Sequence, residues 1–244
     1  MCRRVACAVN ANSRDDAHGG SGLRAYAVVV SERPEPADGA TRAERKERTR
    51  RRLLEVTYRL IADRSLASIS LREVAREAGI VPTAFYRHYA SMDELGVDLV
   101  DESMRPLRQM MREARRGRAA HGDIIVDTVA TLARHVREHP DQFRFLTRER
   151  YGGVGTVRRA IATELRLFTS DLTVDLARLT AGLDWTTDDL EMAASLMVAA
   201  MLNVVIELLE VDPRHPDDVA VLLDRAQRQL RLIVLGMGEW RSKP

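Results

Sequence analysis

The chain reads as an all-α protein, and three observations lead there. Apolar residues recur at three- and four-residue intervals through the stretches that follow Thr41. Helix starts and stops are marked by Ser-x-x-Glu pairs, prolines and glycines. No segment shows the polar-apolar alternation of a half-buried strand.

Length and composition bound what such a chain does. Its 244 residues, 45% of them hydrophobic, suffice for one large or two small domains. Net charge is only +2, so affinity for a polyanion has to come from local clustering. Cys2 and Cys7 match neither C-x-x-C nor a zinc spacing, and reduced thiols are expected. The apolar run from Val5 to Val9 is too short for a signal-peptide core. The nearest approach to a membrane span, Met192 to Ile206, carries Ser195 and Asn203 and stops at Glu207. A cytoplasmic protein with no membrane association is expected.

Residues 1–40 hold Gly19, Gly20, Gly22, Pro34, Pro36 and Gly39 among short polar runs, which predicts a disordered extension. From Arg42 to Arg52 seven basic residues face Glu44 and Glu47. Beyond them Leu53, Val56, Thr57, Leu60 and Ile61 keep helical spacing, so a first helix packs one face and exposes a basic start. Ser70 and Glu73 have capping-box spacing and start a helix at Leu71 that Gly79 ends. Pro82 suits the first turn of another helix, in which Phe85 and Tyr89 share a core-facing side. Two short helices around a tight turn, residues 70–89, form a helix-turn-helix whose second helix presents Thr83, Ala84, Arg87 and His88 to a major groove.

Ser91 and Glu94 repeat the capping signature and open a fourth helix running toward Arg116, which Gly117 to Gly122 break. Helices follow at about 123–139, 140–150, 157–181, 187–211 and 216–236, and the Gly152, Gly153 and Gly155 cluster is a turn between two of them. A reading domain over residues 41–103 and a second helical domain over 104–244 are expected. Val219, Leu223, Ala226, Leu230, Ile233 and Met237 step by four and three, as in a helix-helix seam, and the preceding helix is rich in small residues. An internal core uses the same features as a partner helix does, and Leu196, Ala200, Leu223, Leu230, Ile233 and Met237 are the candidate interface of the homodimer that the family resemblance given below implies.

Catalysis finds no support in the residues. His135 and His139 are separated by Val-Arg-Glu and not by the Glu-x-x of a zinc-protease helix, and no nucleophile elbow appears. No metal and no cofactor are expected.

The run from Arg48 to Leu95, RTRRRLLEVTYRLIADRSLASISLREVAREAGIVPTAFYRHYASMDEL, resembles the amino-terminal domain of the TetR family of transcriptional repressors. Within it SLREVAREAGI, PTAFYRHY and DELG are similar to the FabR and DesT branch of fatty-acid-synthesis regulators. That similarity continues through Val100 to Ser103, Leu107 to Arg112 and Phe145 to Arg150, about three quarters of the chain. The resemblance implies a dimer that brings two reading helices to a pseudo-palindromic operator in double-stranded DNA.

By side-chain chemistry, Lys46, Thr49, Arg50, Thr83, Tyr86 and His88 are candidate phosphate contacts, and in the family the tyrosine matching Tyr86 commonly has that role. Arg72 and Arg87 are candidates for guanine edges. Ser70, Leu71, Pro82, Ala84, Phe85 and Tyr89 complete the candidate DNA-binding set. Met92 stands where many family members carry a phosphate-binding lysine. In the second domain aromatics are sparse and aliphatics abound, which suits a long aliphatic chain over flat ligands. The resemblance implies an acyl-CoA effector, for which Phe145, Arg148, Arg150 and Phe168 are the candidate residues. The alternative is a multidrug- or metabolite-responsive repressor of an efflux operon.

Overall fold

The structure is a computed structural model and describes residues 41–116, 124–180, 185–212 and 214–241, the side chains of 111–116 excepted. The expected amino-terminal extension and the Gly117 to Gly122 break lie outside the described residues. Among the described residues regular structure is helical: α1 (Arg42–Leu60), α2 (Leu71–Glu77), α3 (Pro82–Phe85), α4 (Met92–Arg116), α5 (Ile124–Glu138), α6 (Pro140–Glu149), α7 (Gly155–Leu179), α8 (Thr187–Glu210) and α9 (Pro216–Glu239), with a single 3-10 turn at Leu66–Ser68. The all-α reading holds, and α5 to α9 lie within a few residues of their expected bounds.

Local chemistry explains the ends. Thr41 caps α1: its hydroxyl accepts the Glu44 N–H at 3.2 Å, and the Glu44 carboxylate accepts the Thr41 N–H at 2.6 Å. At Ser70 only the forward half of the expected exchange is seen. The Ser70 hydroxyl accepts the Glu73 N–H at 3.2 Å, while the Glu73 carboxylate is held by Arg64 at 2.7 Å. That guanidinium holds the Glu73 carboxyl below its ordinary range. Gly79 takes φ +70°, with the Gly79 N–H on the Arg76 carbonyl and the Ile80 N–H on the Ala75 carbonyl. This paired closure needs a left-handed residue just past the helix, which glycine supplies at no steric cost.

The helix expected from Pro82 through Tyr89 is shorter. Its α-helical part ends at Phe85, and the Arg87 and His88 N–H groups bond three residues back, to Ala84 and Phe85, as a tightened final turn.

Two apolar clusters make the core. One joins Leu53, Val56, Val74, Phe85, Tyr89, Leu95 and Leu99 of the first four helices to Phe145 and Leu146 of α6 and Val157 and Ile161 of α7. The other gathers α5, α8 and α9 around Val129, Leu132, Ala194, Met197, Val204 and Ala226. Helix α4 runs from one to the other. Gly96 on it lies so close to Val157 and Leu66 that an added Cβ would meet their side chains at 2.6 and 2.7 Å. By length and composition α8 is apolar enough to cross a membrane. Its Leu190, Ala193, Ala194, Met197, Val204, Val205 and Leu208 are spent on the second cluster.

The seam read on α9 is corrected. Ala226, Leu230 and Met237 are buried in the protomer's own core, and Val219, Leu223 and Ile233 pack against it, because burial within one chain satisfies the same three-four spacing that a partner would. The exposed apolar side chains of α9 are others, Val221, Leu232, Val234 and Leu235, of which Leu232 and Leu235 are each 71% exposed. Of the interface candidates on α8, Leu196 is exposed and Ala200 half-buried.

Candidate nucleic-acid interface and ligand cavity

The short α3 is held from beneath by aromatics. Phe85 is 0% and Tyr89 3% exposed, with ring centroids 5.7 Å apart, and they anchor α3 on α1, α2 and α4. Burial, together with a hydrogen bond to Asp98 at 2.5 Å, pushes the Tyr89 hydroxyl well above the ordinary phenol range. Asp98 also takes the Arg50 guanidinium, so one carboxylate of α4 ties α1 to the end of the helix-turn-helix. Nothing in local spacing announces Asp98, which meets Arg50 across 48 residues of chain.

With the aromatics turned inward, the other side of α3 is polar. Thr83 and Arg87 are exposed, as is Tyr86 at 61%. Arg72 on α2 and Lys46 on α1 are exposed, and with Arg87 they have no ion-pair partner among the described residues. His88 is half-buried beside Lys46 and Arg87. Burial first, then those two cations, holds its imidazole below the ordinary value, so it is neutral at pH 7. Its Nδ1 is buried without a hydrogen-bond partner.

The second feature is a cavity of about 390 Å³ enclosed by α4 to α9. Its walls are Met104, Leu107, Leu132, Phe168, Met197, Met201 and further aliphatic side chains, with Thr128, Thr147, Arg150 and Tyr151 as the polar lining. A volume of this order, mostly apolar with few polar groups, is typical of small-molecule sites.

Residues 53–98 match the family model described as bacterial regulatory proteins, tetR family. The match runs from Leu53 on α1 to Asp98, the residue that ties α1 to the end of the helix-turn-helix. Solved structures share the wider fold. A TetR-family regulator, so described, from Mesorhizobium loti MAFF303099 aligns with a TM-score of 0.59 at 16% identity, over 80% of this chain and 98% of its own. The multidrug binding protein EbrR, complexed with imidazole, aligns at 0.51 and 15% identity, over 75% and 93%. The TetR-family repressor FadR of Thermus thermophilus, in complex with lauroyl-CoA, aligns at 0.51 and 18% identity, over 80% and 97%. At these identities the likeness is one of fold.

Against this geometry the candidate residues divide. Lys46, Arg72, Thr83, Tyr86 and Arg87 stand on the solvent side of α1 to α3 and the turn that follows, Pro82 is exposed at the first turn of α3, and Ala84 is half-buried. Ser70 caps α2, half-buried Leu71 packs on the core, and the Thr49 hydroxyl bonds back to the Arg45 carbonyl at 3.0 Å. Phe85 and Tyr89 are corrected from contact residues to supports, since buried rings cannot reach a duplex. Arg50 is likewise held within the domain by Asp98 and Glu47.

Of the effector candidates Arg150 and Phe168 line the cavity. Phe145 and Arg148 do not. Phe145 is buried against Tyr58 of α1, ring centroids 6.1 Å apart and edge to face, on the side of α6 that packs on the first cluster. Arg148 donates to the carbonyls of Ile61 at 2.6 Å, Ala62 at 2.8 Å and Arg64 at 2.9 Å, closing the carboxy-terminal end of α1.

Proposed function

We propose that this protein is a DNA-binding transcriptional regulator of the tetR type, a cytoplasmic homodimer and not an enzyme, that represses genes of fatty-acid synthesis or desaturation under control of an acyl-CoA-type effector. The observation that carries the DNA-reading part is the two-sidedness of α3. Phe85 and Tyr89 are consumed by the core while Thr83, Tyr86 and Arg87 are left to solvent beside Lys46 and Arg72. Hydroxyls and cations so grouped suit phosphates and guanine edges.

What supports the effector reading is the lining of the cavity, aliphatic along almost its whole wall, together with the fold shared with a repressor that holds lauroyl-CoA. The fold shared with EbrR favours the second reading, a multidrug-responsive repressor of an efflux operon. A wall with Phe143, Tyr151 and Phe168 as its aromatics offers a flat drug little stacking surface, so the acyl reading is preferred. A homodimer would cover exposed apolar side chains, Leu196 on α8 and Val221, Leu232 and Leu235 on α9, which otherwise meet water.

The test is binding of purified protein to double-stranded fragments from its own genomic neighbourhood, followed by fluorescence anisotropy, with its mass in solution measured alongside. A dimer that selects a fragment bearing an inverted repeat is the expected result. A monomer that ignores every fragment sinks the reading.

A further inference from the structure

The wall of the cavity carries one charge. Arg150, at the carboxy-terminal end of α6, is the sole charged side chain among the described residues that line it. Its basic neighbours are occupied: Arg148 is spent on three carbonyls of the α1 end, and Arg158 donates to the Gly152 carbonyl at 3.0 Å. The Arg150 guanidinium has no hydrogen-bond or ion-pair partner among the described residues and lies over the Tyr151 ring, 5.3 Å from its centroid. Tyr151 is 78% exposed, so the cavity reaches solvent beside Arg150, as it also does at Ile124, Leu179, Ile206 and Val234.

A half-buried cation facing an apolar void is costly to hold unless an anion completes it. Of the places where the wall reaches solvent, the one beside Arg150 alone offers an anionic head a charge, and there the guanidinium can grip two oxygens at once. The same charge repels a cationic guest and gives a neutral one nothing. We infer that the ligand is a single aliphatic chain carrying an anionic head, and that Arg150 is the residue that selects for the head. The inference rests on the cavity being the effector site, as in the proposed function, and adds the ligand's charge and the residue that reads it. Such a head comes either from a free carboxylate or from the phosphates of a thioester carrier.

Calorimetric titration of palmitate, palmitoyl-CoA and hexadecanol into the protein, Arg150→Gln and Arg150→Lys tests this without DNA. At least one anionic probe should bind the unaltered protein more tightly than hexadecanol, and the one that does identifies the source of the anion. Arg150→Gln should weaken that probe by about 10- to 100-fold, the scale of a charged hydrogen bond, and leave hexadecanol unchanged. Arg150→Lys should retain part of the preference. Equal binding of the alcohol, no binding of any probe, or a loss of all three in Arg150→Gln overturns the assignment. Fragment binding is read separately: if it persists while the ligand pattern fails, only this inference falls, and if it is absent the regulator reading falls instead.

Discussion

The Glu149 carboxylate on α6 accepts the Leu66 backbone N–H at 2.8 Å, deep in the contact between the tetR-type domain and the helices behind it. Its other oxygen is so enclosed that a Cβ on Gly152 would meet it at 2.0 Å, which is why that turn carries glycine. Leu146, Thr147, Arg150 and Tyr151 line the cavity, while Arg148 and Glu149 between them grip the segment that follows α1. One helix end therefore lines the cavity with some residues and holds the segment after α1 with the next. Glu149→Ala would leave a buried N–H unpaired, at a cost of about 1–3 kcal/mol. The expected outcome is a lower urea midpoint with ligand affinity retained, and a smaller ligand-induced change in operator affinity. An undiminished ligand effect on DNA binding would show that the coupling runs elsewhere.

Arg87 and Lys46 should fail differently when replaced. Arg87→Ala is expected to cost about 1–3 kcal/mol on the preferred operator and little on random DNA, as a base contact does. Lys46→Gln should weaken both alike and flatten the slope of log affinity against log salt by about one unit. Anisotropy titrations at several salt concentrations on the two DNAs separate these outcomes, and an equal loss on both DNAs for Arg87→Ala would make it a phosphate contact.

Much of this was legible in the chain because it is local chemistry. Pro140 and Pro216 open their helices, Gly79 closes α2, and Leu53, Val56 and Thr57 fix the buried side of α1. What escaped the sequence was long-range. Arg148 and Arg150 stand two positions apart with the same chemistry, and only the placement of α6 against α1 turns one onto carbonyls and the other into the cavity. The α9 seam misled for a related reason, since Leu230 and Met237 keep one spacing whether the surface they meet belongs to their own chain or to another.

Asp98 is the joint of the reading domain, holding both Arg50 and Tyr89. Asp98→Asn keeps the shape and removes the charge, so the half-buried Arg50 keeps only its longer pairing with Glu47 at 3.7 Å. Stability should fall by about 1–3 kcal/mol in urea denaturation, and operator affinity should fall with it, because Tyr89 anchors α3. A variant as stable as the parent would assign the domain's integrity to the apolar cluster alone.

On the proposed reading, His88 gives DNA binding a dependence on pH. Burial, Lys46 and Arg87 hold its imidazole below the ordinary 6.5, so the unfolded chain takes up a proton more readily than the folded one. That favours unfolding as pH falls from about 7 through 6 and below, and the contribution to stability is fully present above the ordinary value. Phosphate beside His88 acts in the opposite direction, since an anion there favours the charged imidazole, and binding then takes up a proton. Operator affinity should accordingly rise as pH is lowered from about 7.5 to 6, and His88→Gln should remove that rise while leaving the salt slope at pH 8 unchanged. Anisotropy at matched ionic strength across this range decides it: a rise that persists in the glutamine variant places the titrating group elsewhere, and an affinity flat with pH in the parent places His88 away from the phosphates.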